Sequence, residues 1–194
     1  MEEFLFYTEL GLYHVLDFGA YDHILFLTAL AIPFTFSSWK NIILLATVFT
    51  IAHCFSLGLS SYEVLTVDVA LIEFLIPVTI LLTALFNIYS AKNKKEIHSI
   101  KLHLAATTFF GLIHGFGFSN YFKMLMAEEE DKLTPLLGFA TGIEMSQLLI
   151  LIFALGLTFV VLNLLKVKQR LYVIVASILV IAITIPMLID TFPI

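Results

Sequence analysis

The chain has 194 residues, of which 60% are hydrophobic and 13% charged, with a net charge of −5 and a mean hydropathy of +1.02. A water-soluble domain carries about 25% charged residues, so this composition excludes one and identifies an integral membrane protein. The acidic balance gives no reason to expect a nucleic-acid partner, and a single cysteine, Cys54, excludes an intrachain disulfide.

The opening Met1-Glu2-Glu3 is acidic where a signal peptide is basic. Residues 4–18 are apolar-rich but short, which predicts an N-terminal interfacial or re-entrant helix. Apolar runs follow at 21–36, 41–59, 67–89, 102–121, 136–165 and 171–189. Most approach the roughly 20 residues that cross a bilayer as a helix. The predicted fold is all-α: six transmembrane helices plus the short N-terminal helix, forming one polytopic membrane domain over residues 1–194.

Basic residues orient the chain. With six spans and the N-terminus outside, Lys40, Lys92, Lys94, Lys95, Lys101, Lys166, Lys168 and Arg170 fall inside, and only Lys123 and Lys132 outside. Glu63, Asp68, the Glu128–Asp131 run and Asp190 fall outside, with Glu96 inside. The positive-inside rule therefore predicts a multi-pass protein of the plasma (inner) membrane with both termini outside.

Ionisable groups within apolar runs are costly and mark function. Asp22 and His23 open the first run, and His53, Glu73, His114 and Glu144 follow on the next four; His14 lies in the preceding short segment. Counted at about 1.5 Å per residue, those four lie roughly 9–12 Å below the outer surface. Neutral imidazoles and carboxylates together suit zinc, nickel, iron or cobalt, so one shared divalent-metal site is expected from His14, Asp22, His23, His53, Glu73, His114 and Glu144. Cys54 projects about 100° from His53 on a helix and is read as packing. Pro77 cannot donate to the Glu73 carbonyl, and Gly111, Gly115, Gly117, Gly138 and Gly142 permit close helix approach near His114 and Glu144. Gln147, three residues after Glu144, shares its face and can orient it. His103 and Thr107 lie on the His114 stripe toward the inner side, and His98 falls in the basic loop.

The motifs Tyr21-Asp22-His23-Ile-Leu-Phe26, Phe49-Thr-Ile-Ala-His53, Phe110-Gly-Leu-Ile-His114-Gly-Phe-Gly117 and Gly142-Ile-Glu144-Met-Ser-Gln147 resemble, in order, those of the HupE/UreJ family of membrane proteins. Glu73 matches the acidic residue of that family's third segment. Three details depart from the pattern: seven residues separate His14 from Asp22 where five are usual, Cys54 replaces a serine, and Ala140-Thr141 stands where an asparagine is common. The resemblance implies a nickel or cobalt permease.

Two other readings stay open on the residues alone. One is an intramembrane metal-dependent hydrolase, with Glu73 or Glu144 as general base. The other is a metal-stabilised structural or assembly protein. The expected partners are a divalent metal ion, nickel or zinc, and the lipid bilayer.

Overall fold

A computed structural model describes residues 1–65, 67–93, 100–127, 129 and 131–193. Lys94, Lys95, Glu96 and His98 of the basic loop, and Glu128 and Glu130 of the acidic run, lie outside the described residues.

Every element among those residues is helical: α1 (Glu2–Val15), α2 (Asp22–Ala31), α3 (Trp39–Ser61), α4 (Val69–Lys92), α5 (Ile100–Leu125), α6 (Leu133–Phe159) and α7 (Gln169–Asp190). A 3₁₀ turn, Phe36–Ser38, leads into α3, and a π-helical turn, Val160–Leu164, ends α6. Four of these segments are long and apolar enough to cross a membrane: Phe36–Ser61, Val69–Lys92, Leu133–Leu164 and Gln169–Asp190. α5 has the length, with 26 residues, but its hydropathy is diluted by Lys101, His103, Thr107, Thr108, His114, Ser119 and Asn120.

The first expected span is corrected. The run 21–36 forms only the ten-residue helix α2, about 15 Å long. Ile32 keeps helical φ and ψ and still donates to the Thr28 carbonyl, the Phe34 N–H closes a turn on the Ala31 carbonyl, and the chain is extended by Thr35. The segment preceding α2 is also not peripheral. α1 lies along the first half of α6 and runs in the same direction, with Phe4 and Tyr7 against Gly138, and Thr8, Gly11 and Leu12 against Gly142 and its neighbours. Tyr7, Gly11 and Val15 are buried there. α2 then carries the chain onward between α4 and α6, where Asn87 Nδ2 donates to the Ala29 carbonyl at 2.7 Å and Gln169 Nε2 to the Pro33 carbonyl at 3.1 Å. α1 and α2 thus follow one another through the bundle, broken by the link between them, with lengths of roughly 21 and 15 Å.

The bundle has two distinct ends. At one, Lys132 Nζ donates to the Ser61 carbonyl at 3.1 Å, tying the α5–α6 connection to the end of α3. At the other, Arg170 donates to the Lys92 carbonyl at 3.1 Å, gathering the ends of α4 and α7 with Lys168 nearby in sequence. We call these the site end and the basic end. α3 packs most extensively on α5, α1 on α6, and α4 on α7.

Candidate metal site

The site forms where α1 stops and α2 starts. His14 is in the last turn of α1, and Asp22 and His23 open α2. His53 comes from α3 and His114 from α5. These two helices meet without side chains between them, because a Cβ on Gly111 would strike the Phe49 carbonyl and Ala52, and one on Gly115 would strike the His53 carbonyl and Ser56. The glycines on either side of His114 therefore bring its backbone against that of His53. Gly138 and Gly142 do the same for α1 on α6. Their effect is to seat α1 and His14, rather than to bring Glu144 toward the other candidate ligands.

Two overlapping triads can hold an ion. His14, His23 and His53 each offer a nitrogen, all within 4.8 Å of one another, and Asp22, His23 and His114 do likewise. The imidazole of His23 lies 4.7 Å from that of His14 and 4.3 Å from that of His114, centroid to centroid. Asp22 joins the triads. Its Oδ1 is 3.0 Å from His23 Nδ1 and its Oδ2 is 3.3 Å from His114 Nε2. The His23 backbone N–H also donates to Oδ1 at 2.7 Å, and the first turn of a helix favours an anion. When His23 Nδ1 donates to this carboxylate, its Nε2 lone pair is directed elsewhere, which is how an outer carboxylate orients a metal-binding histidine.

Among the described residues no protein atom hydrogen-bonds His14 Nε2, His23 Nε2 or either nitrogen of His53, all of them buried. Buried polar atoms are rarely left unpaired, and several converging imidazole nitrogens are the donor set a borderline transition metal requires.

Phenylalanines enclose the cluster. Phe49 and Phe110 stand one turn before His53 and His114, and Phe26 one turn after His23, so all three lie toward the basic end. Phe26 and Phe110 stack at 3.4 Å, and Phe49 lies 5.9 and 5.7 Å from them. All three are at most 1% exposed, and they form a dry floor. Phe118 and Phe139, stacked at 5.2 Å, flank the opposite side, with Phe118 4.0 Å from His14. Low dielectric around the donors strengthens any ion–ligand attraction.

The other candidates are outside both triads. Glu73 is exposed and lines the same small cavity of about 180 Å³ as His14, Asp22, His23 and His114, placing it at the rim. Glu144 is half-buried on α6 and accepts hydrogen bonds from Thr47 and Thr50 of α3 at 2.7 and 2.6 Å. Gln147 is fully buried, with neither amide atom partnered among the described residues. Cys54 is half-buried and outside both triads. His103 lies below the phenylalanine floor, lining a cavity of about 260 Å³ with Thr79, Thr83 and Phe86.

Sequence reading missed the floor, the Thr47–Thr50 pair and the α1–α2 break. The floor has a legible signal, an aromatic residue four positions before His53 and before His114.

The sequence model of the HupE / UreJ protein family matches residues 1–190. The chain belongs to the HupE/UreJ family. No curated protein and no solved structure gives a significant match. Nearly the whole of this HupE/UreJ protein is covered by the family match, from α1 to the end of α7, so the helix that supplies His14 is part of the shared architecture and not an appendage.

Proposed function

We propose that this HupE/UreJ protein is a permease for a divalent transition-metal ion, nickel by the family's suggested role, and that His14, Asp22, His23, His53 and His114 are its binding site. The observation that carries the reading is the convergence of four imidazoles on a break between two half-helices. Discontinuous helices at mid-depth are how membrane transporters present backbone and side chains to an ion, and irregular backbone is tolerated there only where it lines a cavity or is buried in protein.

In this reading α1 and α2 make one broken passage, and α3 to α7 make five more. Both termini and the site end face outward, and the basic end faces the cytoplasm of a plasma (inner) membrane, following the positive-inside rule. Ions enter from the site end, and Glu73 at the cavity rim attracts them. Inward release requires Phe26, Phe49 and Phe110 to part, opening a way toward the cavity that His103 lines.

The test is nickel uptake into proteoliposomes. The wild-type protein should accumulate the ion, and His23→Ala should abolish uptake at unchanged protein level. A wild-type protein that binds nickel stoichiometrically yet moves none across the bilayer removes the permease reading.

A second reading has its own support. The phenylalanine floor closes the cluster on one side while an apolar-walled cavity opens on the other, which also fits an intramembrane hydrolase. There His14, His23 and His53 would hold the ion, which would supply a Lewis acid, and Glu73, at the cavity rim, could accept a proton. Release of a fatty acid from bilayer lipid in the absence of nickel flux would favour it.

A further inference from the structure

The link between α1 and α2 carries a carboxylate that the metal cluster does not use. Asp17 is exposed and lines a cavity of about 780 Å³ together with Tyr13, His14, Phe118 and Tyr121. Its Oδ1 accepts the Gly19 N–H at 2.7 Å, which fixes the carboxylate within the link. The wide cavity and the small one around Asp22, His23 and His114 share two residues, His14 and Phe118. His14 is therefore the common wall, and its Nε2 is buried without a hydrogen-bond partner among the described residues.

Size separates the two spaces. The wide cavity, about 780 Å³, has room for a hydrated ion, while the small one is about 180 Å³ and offers imidazole and carboxylate donors that can replace water. Asp17 is the only carboxylate among the described residues that line the wide cavity.

We propose that the wide cavity is the entry station of the site, where Asp17 holds a hydrated divalent cation before it passes His14 and Phe118 into the imidazole cluster. The assignment rests on the cluster binding a divalent ion and, for its direction, on the permease reading. A charge at a cleft mouth acts on the rate of encounter more than on final affinity, and salt screens it.

The experiment is stopped-flow association of nickel with the full-length protein in detergent, followed by competition with a chelating dye. Asp17→Asn retains the oxygen that Gly19 bonds and removes only the charge. It should slow association about three- to tenfold at low ionic strength and lose most of the salt dependence. Nickel stoichiometry and the ligand shell seen by X-ray absorption should not change. Asp17→Glu should restore most of the rate. Glu9→Gln, an exposed acid on α1 outside both cavities, serves as the control for net charge and should associate as wild type. Wild-type rates in Asp17→Asn overturn the proposal, as does equal slowing in Glu9→Gln, which would make the effect one of overall field. If nickel binds but does not cross the bilayer, the permease reading fails while the entry station stands on the binding rates. If the wild type binds no divalent ion, both fall.

Discussion

The two halves of the bundle treat buried polar groups differently. Toward the basic end, Thr79, Thr83 and Thr158 donate to carbonyls of their own helices, and Asn87 donates across to Ala29. Thr158 also meets the Tyr172 hydroxyl at 2.8 Å. The exceptions there include the hydroxyls of Thr107 and Ser177, one on α5 and one on α7. Toward the site end Ser56 and Ser119 are satisfied in the same way, but nitrogens of His14, His23 and His53 converge without hydrogen-bond partners among the described residues. Polar groups satisfied across helices, as Asn87 and Tyr172 are, hold those helices together, whereas a convergent set of unsatisfied ones carries a cost that an ion can offset. The contrast extends to the carboxylates. Asp22 bridges two imidazoles, while Glu144 is occupied by two threonine hydroxyls.

The strongest way to break this contrast is to remove a nitrogen that has no other role. Both ring nitrogens of His53 lack protein partners among the described residues, so His53→Ala should cost more nickel affinity than loss of an outer partner, which is typically ~10–100-fold. Equilibrium dialysis on purified protein measures it, and an unchanged dissociation constant would show that the imidazoles converge for packing alone. Asp22→Asn comes next. An amide in place of the carboxylate loses the charge and one acceptor, and the expected loss is about 10–100-fold, with stoichiometry preserved. Binding of both proteins should weaken as the pH falls, because protons compete for the imidazoles that the ion needs. A pH-independent affinity would mean that the ion is held elsewhere.

Much of the site was legible because its residue types are unusual in apolar sequence. His23, His53 and His114 interrupt runs of Leu, Phe and Ala, where an ionisable group marks function. What could not be read was the level of α1. A 14-residue helix with acidic residues in its first turn looks interfacial, and only the contacts of Gly138 and Gly142 show that α1 descends along α6 and carries His14 to the cluster. The same one-dimensional view assigned Glu144 to the site by its depth. Depth does not fix the direction a side chain faces, and Glu144 turns to the α3 face that carries Thr47 and Thr50, away from the face of α6 that receives α1. α2 was read as too long because the apolar run 21–36 continues through Pro33 into residues that do not stay helical.

The seating of α1 gives a sharper test of how the site is built. In Gly142→Ala the new methyl group meets the Thr8 carbonyl and the Leu12 and Gly11 backbone, all of them rigid. Overpacking of this kind costs about 1–3 kcal/mol, and here it should push α1 outward and carry His14 away from His23. Thermal unfolding should shift down and nickel affinity should fall together. Gly156→Ala, with nothing within 4 Å of the added carbon, should change neither. Equal effects of the two substitutions would show that helix propensity, not the α1–α6 contact, governs the outcome.

The smallest expected effect on binding belongs to Glu144, and it tests the carboxylate contrast directly. Glu144→Gln keeps an acceptor for one threonine and loses the charge. Hydrogen bonds to charged groups contribute about 1.5–3 kcal/mol, and a half-buried group should give the lower part of that range, so the α3–α6 pair should loosen and the unfolding midpoint fall slightly. Nickel affinity should stay at the wild-type value, since neither triad includes Glu144. Thr47→Val and Thr50→Val, which remove the hydroxyls from the other side, should reproduce the stability loss and combine with Glu144→Gln less than additively, as groups in one network do. A large fall in nickel affinity in Glu144→Gln, with the two threonine variants still binding normally, would return Glu144 to the ligand set and require α6 to rotate when the ion binds.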